Sequence, residues 1–243
     1  MGKNYKRVVL KLSGEALSGE DNFVLCSNVL KRVAKQIAEI ANMGVQVGVV
    51  IGAGNIWRGR MDEEMNRAIA DNMGMAATLI NSLAMKDYLI RAGVDAEVLS
   101  AVAVDKFADY YTTRKANDLL NNNAVVIFAC GTGNPFFTTD TAGALRACEI
   151  QADGFIQAKN IDAVYDDDPK KNPNAKAFKK VSYKHILDNN LQAFDTTASI
   201  LCMENDIDCI MVSLNEDNAL LNAIKGKGKG TVISNEDVVE YYK

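Results

Sequence analysis

The stretch Ala124-Val-Val-Ile-Phe-Ala-Cys-Gly-Thr-Gly-Asn-Pro-Phe-Phe-Thr-Thr-Asp140 decides the fold class of this chain. Its first six residues are all apolar, which is typical of a strand buried on both faces of a sheet. The glycines that follow predict a turn, and Thr138 and Thr139 stand where hydroxyls cap the first turn of a helix. A small-residue loop between a strand and a helix exposes backbone N–H groups at the positive end of the helix dipole, which suits a phosphate. An ordinary strand-to-helix turn is the alternative that this stretch alone leaves open.

Apolar runs alternate with helical patterns along the rest of the chain. We predict strands at 5–12, 45–51, 95–99, 124–129, 153–157, 208–213 and 231–233. We predict helices over 27–43, with Ser27 as the N-cap, and from about 62 to 92. The longer helix carries an apolar stripe that fits either the core or a subunit contact, made of Met65, Ile69, Met73, Ala76, Ile80 and Leu83. The alternation predicts an α/β fold whose mainly parallel sheet has helices on both faces.

Composition narrows the class of protein. The chain has 243 residues and is 48% hydrophobic, which is enough for one large domain. Its net charge of −4 lacks the basic character of a nucleic-acid binder, so no nucleic-acid partner is expected. Five cysteines without a Cys-x-x-Cys pattern predict reduced core thiols and a cytoplasmic location, and no apolar run is long enough to cross a membrane. A single histidine, His185, argues against a His-based triad or a multi-His metal site.

Four loops follow predicted strands, and this is the central observation. They span 11–14, 52–59, 131–140 and 158–168. Because ligands of open α/β sheets bind beyond the carboxyl ends of the strands, we expect the four loops to meet at one edge of the sheet.

The residues in these loops suit phosphoryl transfer, which demands charge neutralisation and positioning more than covalent chemistry. Lys11 can neutralise the transferring group, Arg58 can reach a second phosphate, and Asp140 can hold Mg²⁺ or orient Lys11. Taken singly, Lys11 also fits a surface lysine and Asp140 a helix-start residue. The P-loop motif is missing and the dinucleotide glycine fingerprint fails at Trp57, which argues against a P-loop fold and a nicotinamide-dependent enzyme.

Five segments carry a family resemblance: Lys-Leu-Ser-Gly-Glu-Ala (11–16), Val-Val-Ile-Gly-Ala-Gly-Asn-Ile-Trp-Arg-Gly (49–59), Met-Asn-Arg-Ala-Ile-Ala-Asp-Asn-Met-Gly-Met (65–75), Gly-Thr-Gly-Asn-Pro-Phe-Phe-Thr-Thr-Asp (131–140) and Asp-Ala-Val-Tyr-Asp-Asp-Asp-Pro (162–169). Together they resemble those of the bacterial UMP kinases, a branch of the amino acid kinase family. The resemblance extends from about residue 5 to 234. The segments at 65–75 and 131–140 are the ones specific to UMP kinases within that family.

The resemblance implies a three-layer αβα sandwich forming a single domain over 1–243, with a UMP-binding half at about 1–150 and an ATP-binding half at about 151–243. It implies transfer of the ATP γ-phosphoryl group to UMP, giving UDP for pyrimidine nucleotide biosynthesis, with Mg²⁺. It also implies a homohexamer and inhibition by UTP.

Site residues carry over by position. The catalytic residues implied are Lys11, Asp140 and Arg58. The ATP-binding residues implied are Lys11, Leu12, Ser13, Gly14, Gly54, Arg58, Asn160, Tyr165 and Asp168. The UMP-binding residues implied are Ala53, Asp71, Thr132, Gly133, Asn134, Pro135, Phe136, Phe137, Thr138 and Thr139. Asp140 is the candidate Mg²⁺ ligand, the alternative being a metal held through the phosphates.

The sequence departs from the family at three places. Ala53 replaces a usual glycine, and its methyl group crowds the approach to UMP. Residues 157–163 leave open whether Lys159 or Asn160 contacts ATP. Residues 19–26 lack the Gly-Phe-Gly-Ile-Asp stretch associated with the response to GTP, so GTP activation is left open. A non-catalytic nucleotide sensor is the competing hypothesis, and the presence of both Lys11 and Asp140 argues against it.

Overall fold

The computed structural model describes residues 5–19, 24–57, 64–191 and 195–242. Three features of the sequence analysis therefore lie wholly or partly outside the described residues. They are Arg58, the start of the predicted helix at 62, and residues 20–23 of the segment linked to GTP.

The described strands form one ten-stranded sheet with the order β10-β7-β9-β8-β6-β1-β2-β5-β3-β4. The strands are β1 Arg7–Leu12, β2 Gln46–Ile51, β3 Ala96–Ser100, β4 Asp109–Tyr110, β5 Val125–Ala129, β6 Gly154–Lys159, β7 Phe178–Ser182, β8 Asp208–Ser213, β9 Thr231–Ser234 and β10 Val239–Tyr241. Neighbouring strands run parallel except in the pairs β8–β9 and β7–β10. The predicted mainly parallel sheet is confirmed.

Seven described helices cover the two faces of this sheet. They are α1 Ser27–Asn42, α2 Arg67–Arg91, α3 Thr113–Asn121, α4 Thr139–Glu149, α5 Tyr183–Asp188, α6 Thr196–Glu204 and α7 Ala219–Ile224. Helices α1, α2 and α7 pack on one face, where alternate strand residues such as Leu10 and Ile156 form one core cluster. Helices α3 to α6 pack on the other, where the intervening residues such as Val9 and Phe155 form a second. This is the expected three-layer αβα sandwich.

The start of α1 differs from the sequence prediction. Its N-cap is Cys26, with extended backbone and no side-chain capping bond, so the assignment of Ser27 as the cap is wrong by one residue. Hydroxyl chemistry favours serine at a cap, but here the preceding turn places Cys26 at that position through its N–H bond to the carbonyl of Leu17. The helix ends as expected before Gly44, whose φ of +84° suits glycine.

Most of the apolar stripe predicted on α2 does not face the core, although its last member, Leu83, is half-buried against a core cluster. Ile69, Met73 and Ile80 are 56%, 39% and 51% exposed. The helix instead turns a face of small, polar and longer apolar residues to the sheet, comprising Ala70, Ala77, Thr78, Asn81, Ser82, Met85 and Leu89. Amphipathic periodicity predicts the helix but does not tell which of two candidate faces is buried. The interpretation of the stripe as core is wrong for Ile69, Met73 and Ile80. The subunit-contact half stays a prediction.

The strands that precede the four loops are adjacent in the sheet, in the order β6-β1-β2-β5, and they are mutually parallel. Their carboxyl ends therefore meet at one edge, as expected. Backbone bonds join the loops there, because Ser13 donates to the carbonyl of Ala158 at 3.0 Å and Gly52 donates to that of Leu12 at 2.9 Å.

The sequence analysis missed three strands at the two ends of the sheet. Strands β4 and β10 are only two and three residues long, and β7 carries Lys179 and Lys180, which mask its pattern. Short, charged strands of this kind are common near sheet edges, where they discourage pairing with other chains.

The five cysteines are free thiols. Cys130, Cys202 and Cys209 are buried, while Cys26 and Cys148 are half-buried. His185 packs edge-on against the ring of Phe178. None of the described helices has the length and apolar character that crossing a bilayer requires.

Candidate active site

Lys11 and Asp140 meet at the edge of the sheet where the loops converge. The ammonium nitrogen of Lys11 lies 2.7 Å from one carboxylate oxygen of Asp140, and that of Lys159 lies 2.9 Å from the other. The three side chains are only 9%, 13% and 20% exposed, in the order Lys11, Asp140, Lys159. Burial raises the pKa of Asp140, but the two lysine charges lower it, and its net pKa lies below the ordinary value. Two ammonium groups around one carboxylate leave a net positive charge, which suits a phosphate.

Lys11 reaches this position because of the strand register. It lies opposite Gln157 of β6 and Val50 of β2, near the end of β1. It alternates with Leu10 and Leu12, which point to the opposite face, so its side chain lies on the α4 side. Gly143 lets α4 pack closely on this side of the sheet, since a Cβ there would lie 2.6 Å from the ring of Phe155, whereas its 3.6 Å from Cβ of Lys11 would be an ordinary contact.

The first two loops touch through their backbones. A Cβ at Gly14 would lie 2.4 Å from the carbonyl oxygen of Gly52 and 2.6 Å from the side chain of Asn55, so only glycine fits. A Cβ at Gly54 would lie 2.9 Å from the side chain of Glu15. The glycines singled out in the sequence therefore allow two loops to pack closely, and they keep backbone groups accessible at the edge of the sheet.

The 130–140 loop has an unusual backbone. Cys130, Gly131, Gly133 and Phe136 all have positive φ, at 62°, 57°, 80° and 72°. Cys130 and Phe136 have a Cβ, so this conformation costs energy at both positions. Such strain clusters at functional sites, where the surrounding structure must hold it. Arg146 of α4 helps to hold it by donating to the carbonyl of Gly131 at 3.2 Å.

The loop ends in a capped helix, as predicted. The hydroxyl of Thr138 accepts from the N–H groups of Asp140 and Thr141, both at 3.1 Å. The same hydroxyl donates to Asp195, and the hydroxyl of Thr141 donates to that carboxylate as well, at 2.9 Å. Asp195 is itself the N-cap of α6, accepting from Ala198 at 2.7 Å. One carboxylate thus ties the start of α4 to the start of α6.

Asp71 lies beside the same loop. Its carboxylate accepts from the N–H of Phe136 at 2.8 Å and pairs with Arg67 at 2.9 Å. Trp57 closes the neighbouring side by donating its ring N–H to the carbonyl of Ala70 at 2.9 Å. Phe136 and Phe137 are 65% and 52% exposed; the ring of Phe136 lies under the guanidinium of Arg67, which is 5.8 Å from the ring centroid.

These elements enclose a cleft. Its lining includes seven of the residues predicted to bind UMP, namely Ala53, Asp71, Thr132, Asn134, Phe137, Thr138 and Thr139. The lining also includes Trp57, Ala70, Gly74, Met75, Thr78 and Gly131, which the sequence analysis did not assign to UMP. Gly133, Pro135 and Phe136 belong to the same loop but do not line the cleft. Gly133 supports the loop from beneath, since a Cβ there would lie 2.9 Å from the carbonyl of Ala101.

The residues predicted to hold the adenosine part of ATP lie together on the 158–168 loop. The hydroxyl of Tyr165 donates to Asp162 at 2.9 Å, and Asp162 also pairs with Lys229. Asp168 is exposed and accepts from the N–H of Lys170 at 3.0 Å. Asn160 is exposed as well. Of the two candidates at this point, Lys159 rather than Asn160 joins the charged cluster around Asp140.

Two of the residues predicted to bind ATP, Leu12 and Ser13, are wholly or partly buried. The side chain of Leu12 is fully buried in the core, so any contact with a nucleotide involves its main chain. Ser13 is half-buried at the joint between two loops. Arg58 lies outside the described residues, and its role stays a prediction.

The sequence analysis missed several residues of this site. Asp195, Thr78 and Asn81 act through hydrogen bonds across long sequence separations, and no local motif identifies Thr78 or Asn81. Asp195 carried a weak signal, since an Asp before Thr-Thr-Ala is a helix cap pattern.

The described residues hold no cluster of three or more side chains suited to a metal ion. Asp140 is a single carboxylate with a lysine on each oxygen. Mg²⁺ usually takes one or two carboxylates together with substrate phosphates and water. The donor set fits a metal that arrives with the nucleotide rather than one caged by the protein.

A second groove, of about 910 Å³, lies on the sheet face beside α7. It is lined by the 226–230 turn and carries both basic residues, such as Lys180, and acidic residues, such as Glu236. It is the roomier concavity, but none of the described residues in the four loops at the carboxyl ends of β6, β1, β2 and β5 lines it, whereas Ala53 and Thr139, the neighbour of Asp140, line the cleft. The cleft beside Lys11 is therefore the better candidate site.

Comparison with known proteins agrees with this geometry. The family model described as the amino acid kinase family matches residues 6–213. The crystal structure of UMP kinase from Bacillus anthracis is similar, with 33% identity and a TM-score of 0.95, covering 99% of this chain and 100% of that one. UMP kinase from Ureaplasma parvum has 38% identity and a TM-score of 0.90, covering 94% and 98% of the two chains. Uridylate kinase from Archaeoglobus fulgidus has 30% identity and a TM-score of 0.71, covering 93% and 99%. This chain belongs to the amino acid kinase family.

Proposed function

We propose that this chain is a UMP kinase, which transfers the γ-phosphoryl group of ATP to UMP and releases UDP and ADP. The observation that carries the proposal is the cluster of Lys11, Asp140 and Lys159 beside a cleft lined by the 131–140 loop. Similarity to two bacterial UMP kinases over more than nine-tenths of the chain supports the same substrate. The reaction supplies the diphosphate for pyrimidine nucleotide biosynthesis.

In the proposed reaction, a phosphate oxygen of UMP attacks the γ-phosphorus of ATP, and the bond from that phosphorus to the β–γ bridging oxygen breaks. Negative charge moves onto the departing ADP and the equatorial oxygens. Lys11 and Lys159 stand where that charge develops, and they stabilise it more than the ground state. Asp140 keeps both ammonium groups in place, so little reorganisation is needed during transfer.

The acceptor is held by the start of α4. Backbone N–H groups and the hydroxyls of Thr138 and Thr139 surround the UMP phosphate at the positive end of the helix dipole. Asp71 accepts from the ribose after releasing the N–H of Phe136, and Ala53 lies against the nucleotide. The UMP-binding half is about 1–150 and the ATP-binding half about 151–243.

The donor lies over the other loops. Ser13, Gly14 and Gly54 line its phosphates through the backbone, with Arg58 on a further phosphate. Tyr165, Asp168 and Asn160 hold the adenosine. Mg²⁺ bound to the phosphates of ATP would offset part of their charge, and Asp140 would help to hold it.

Assembly and regulation form the finer part of the proposal. The exposed stripe of Ile69, Met73 and Ile80 supports self-association, and we propose a homohexamer. UTP inhibits by occupying the uridine cleft. Activation by GTP stays open, since part of the 19–26 segment lies outside the described residues. A cytoplasmic location is the companion prediction from the free thiols. Sedimentation of the purified protein tests the assembly.

A coupled assay of ADP formation tests the activity. With ATP and Mg²⁺, UMP should be phosphorylated well, CMP and dCMP poorly, and acetylglutamate and aspartate not at all. Repeating the assay with UTP and GTP tests the regulation. Turnover of an amino acid without turnover of UMP would assign the chain to another branch of the family, and nucleotide binding without turnover would favour a sensor.

A further inference from the structure

Helix α2 buries a polar stripe where aliphatic side chains would serve the core better. Thr78, Asn81 and Ser82 are 2%, 0% and 0% exposed. Asn81 and Ser82 lie three and four residues after Thr78, so the three side chains share one face of the helix. Burying polar groups costs free energy unless every group finds a partner, so the partners show what the stripe is for.

Asn81 bonds to the loop after β2. Its side-chain amide donates to the carbonyl of Gly52 and to the side-chain oxygen of Asn55, both at 2.8 Å, and accepts from Asn55 at 3.0 Å. The carbonyl of Gly52 is the group against which Gly14 packs too closely for any Cβ. Asn81 therefore fixes the joint between the first two loops, where the donor phosphates are proposed to lie.

Thr78 bonds to the other loop. Its hydroxyl accepts from the N–H of Cys130 at 2.8 Å and donates to the carbonyl of Met75 at 2.7 Å. Cys130 is the first of the residues with positive φ that begin the acceptor loop. A bond to its N–H holds that conformation where the chain leaves the strand.

Ser82 lies beside these two residues but bonds within the helix rather than to either loop. Its hydroxyl donates to the carbonyl of Thr78 at 2.8 Å, inside the helix. It is as buried as its neighbours and lies on the same face, so it serves as a matched control.

We propose that Thr78 and Asn81 are positioning residues for phosphoryl transfer, Thr78 for the acceptor loop and Asn81 for the donor joint. The inference rests on the proposed function for the names of the two substrates. One rigid helix holds the two loops in a common frame, which aligns acceptor and donor across the lysine cluster. Positioning of this kind matters because small misplacements of reacting groups cost large factors in rate.

The test compares four variants by their KM for ATP and for UMP. Thr78→Val keeps the shape and removes the hydroxyl; it should raise the KM for UMP by about tenfold and leave that for ATP within about twofold. Asn81→Leu should raise the KM for ATP more than that for UMP and lower kcat by about tenfold. The ratio of the two KM values should thus move in opposite directions. Ser82→Ala should leave that ratio unchanged. Thr78→Ser, which keeps the hydroxyl, should have the KM values of the wild type.

Two further measurements keep the inference falsifiable. If Asn81→Leu does not fold, Asn81→Ala leaves room for water and should shift the ratio in the same direction by a smaller factor. Amide hydrogen exchange at Cys130 should be faster in Thr78→Val than in Ser82→Ala, whether or not the enzyme turns over UMP. Equal shifts of both KM values, or changes no larger than those of Ser82→Ala, would overturn the inference. If the wild-type protein is inactive on UMP, the proposed function is refuted instead. The exchange rate at Cys130 then shows whether Thr78 holds the 130–140 loop.

Discussion

The 130–140 loop and the 158–168 loop flank the same lysine cluster, but their outer parts are held in different ways. The first is tied to distant parts of the chain, through Thr78, Asp71 and Asp195. The start of the second is also tied to distant residues, since Asp162 pairs with Lys229 and the N–H of Val164 donates to Thr231. Its outer part, from Tyr165 onward, is held by near neighbours, as in the bonds from Tyr165 to Asp162 and from Lys170 to Asp168. It is also more exposed towards its end. A segment fixed by distant residues presents a preformed surface, whereas a segment bonded mainly to its near neighbours can adjust around its ligand.

This difference has a consequence for specificity. Discrimination between similar ligands needs polar groups held in place, so that the wrong ligand leaves them unpaired. We therefore expect strict selection of the acceptor nucleotide and looser selection of the donor. Four substitutions test the comparison, from the residue shared by both sides to the smallest change on one side.

Lys11→Ala should have the largest effect, because Lys11 lies where the two loops meet. It should lower kcat by about 100-fold or more, as expected when a group that stabilises transition-state charge is lost. Steady-state kinetics with ATP and UMP measure it. Lys171→Ala, an exposed lysine paired loosely with Asp168 at 3.7 Å, is the control and should change kcat by less than about twofold. A kcat near that of the wild type would remove Lys11 from the reaction.

Asp71→Ala tests the 130–140 loop, which distant residues hold. Loss of the acceptor for the N–H of Phe136 frees the loop and removes the predicted ribose contact. The KM for UMP should rise by about tenfold while that for ATP stays within about twofold. Asp87→Ala, which removes an exposed ion pair with Arg91 on the same helix, is the control. An effect confined to kcat would contradict the assignment of Asp71 to UMP.

Tyr165→Phe tests the locally held outer part of the 158–168 loop. It removes the hydroxyl that donates to Asp162 and leaves the ring. The KM for ATP should rise by about threefold, with no change for UMP, since a single hydrogen bond in a half-exposed loop contributes about 1 kcal/mol or less. Tyr110→Phe at the far edge of the sheet is the control. A rise in the KM for UMP would mean that the two loops are coupled more tightly than their contacts indicate.

Ala53→Gly should have the smallest effect. Ala53 lines the acceptor cleft, and it is not among the residues with positive φ, so the backbone does not require glycine there. Removing one methyl group should lower the KM for UMP by up to about twofold without changing kcat. Titration of UMP binding measures it directly. Weaker binding would show that the methyl group packs on the nucleotide rather than crowding it.

Much of this site could be predicted from local patterns. Local patterns predicted the strands with continuous apolar runs, the glycine-bearing turns after them and the cap at Thr138. The face of α2 could not be predicted in the same way. Its apolar stripe around Ile69 and Met73 is exposed, and the buried face carries Asn81 instead, because the loops it holds need hydrogen bonds more than they need apolar contact.

The sequence by itself determined which elements form and which loops carry charge, because periodicity, turn residues and caps act over a few residues at a time. Only the tertiary structure decided that Lys159 joins Lys11 on Asp140, that Asp195 binds Thr138, and that Thr78 and Asn81 hold two loops from one helix. Those contacts join residues from 19 to 57 positions apart. They depend on strand order and helix placement, which no short stretch of sequence specifies.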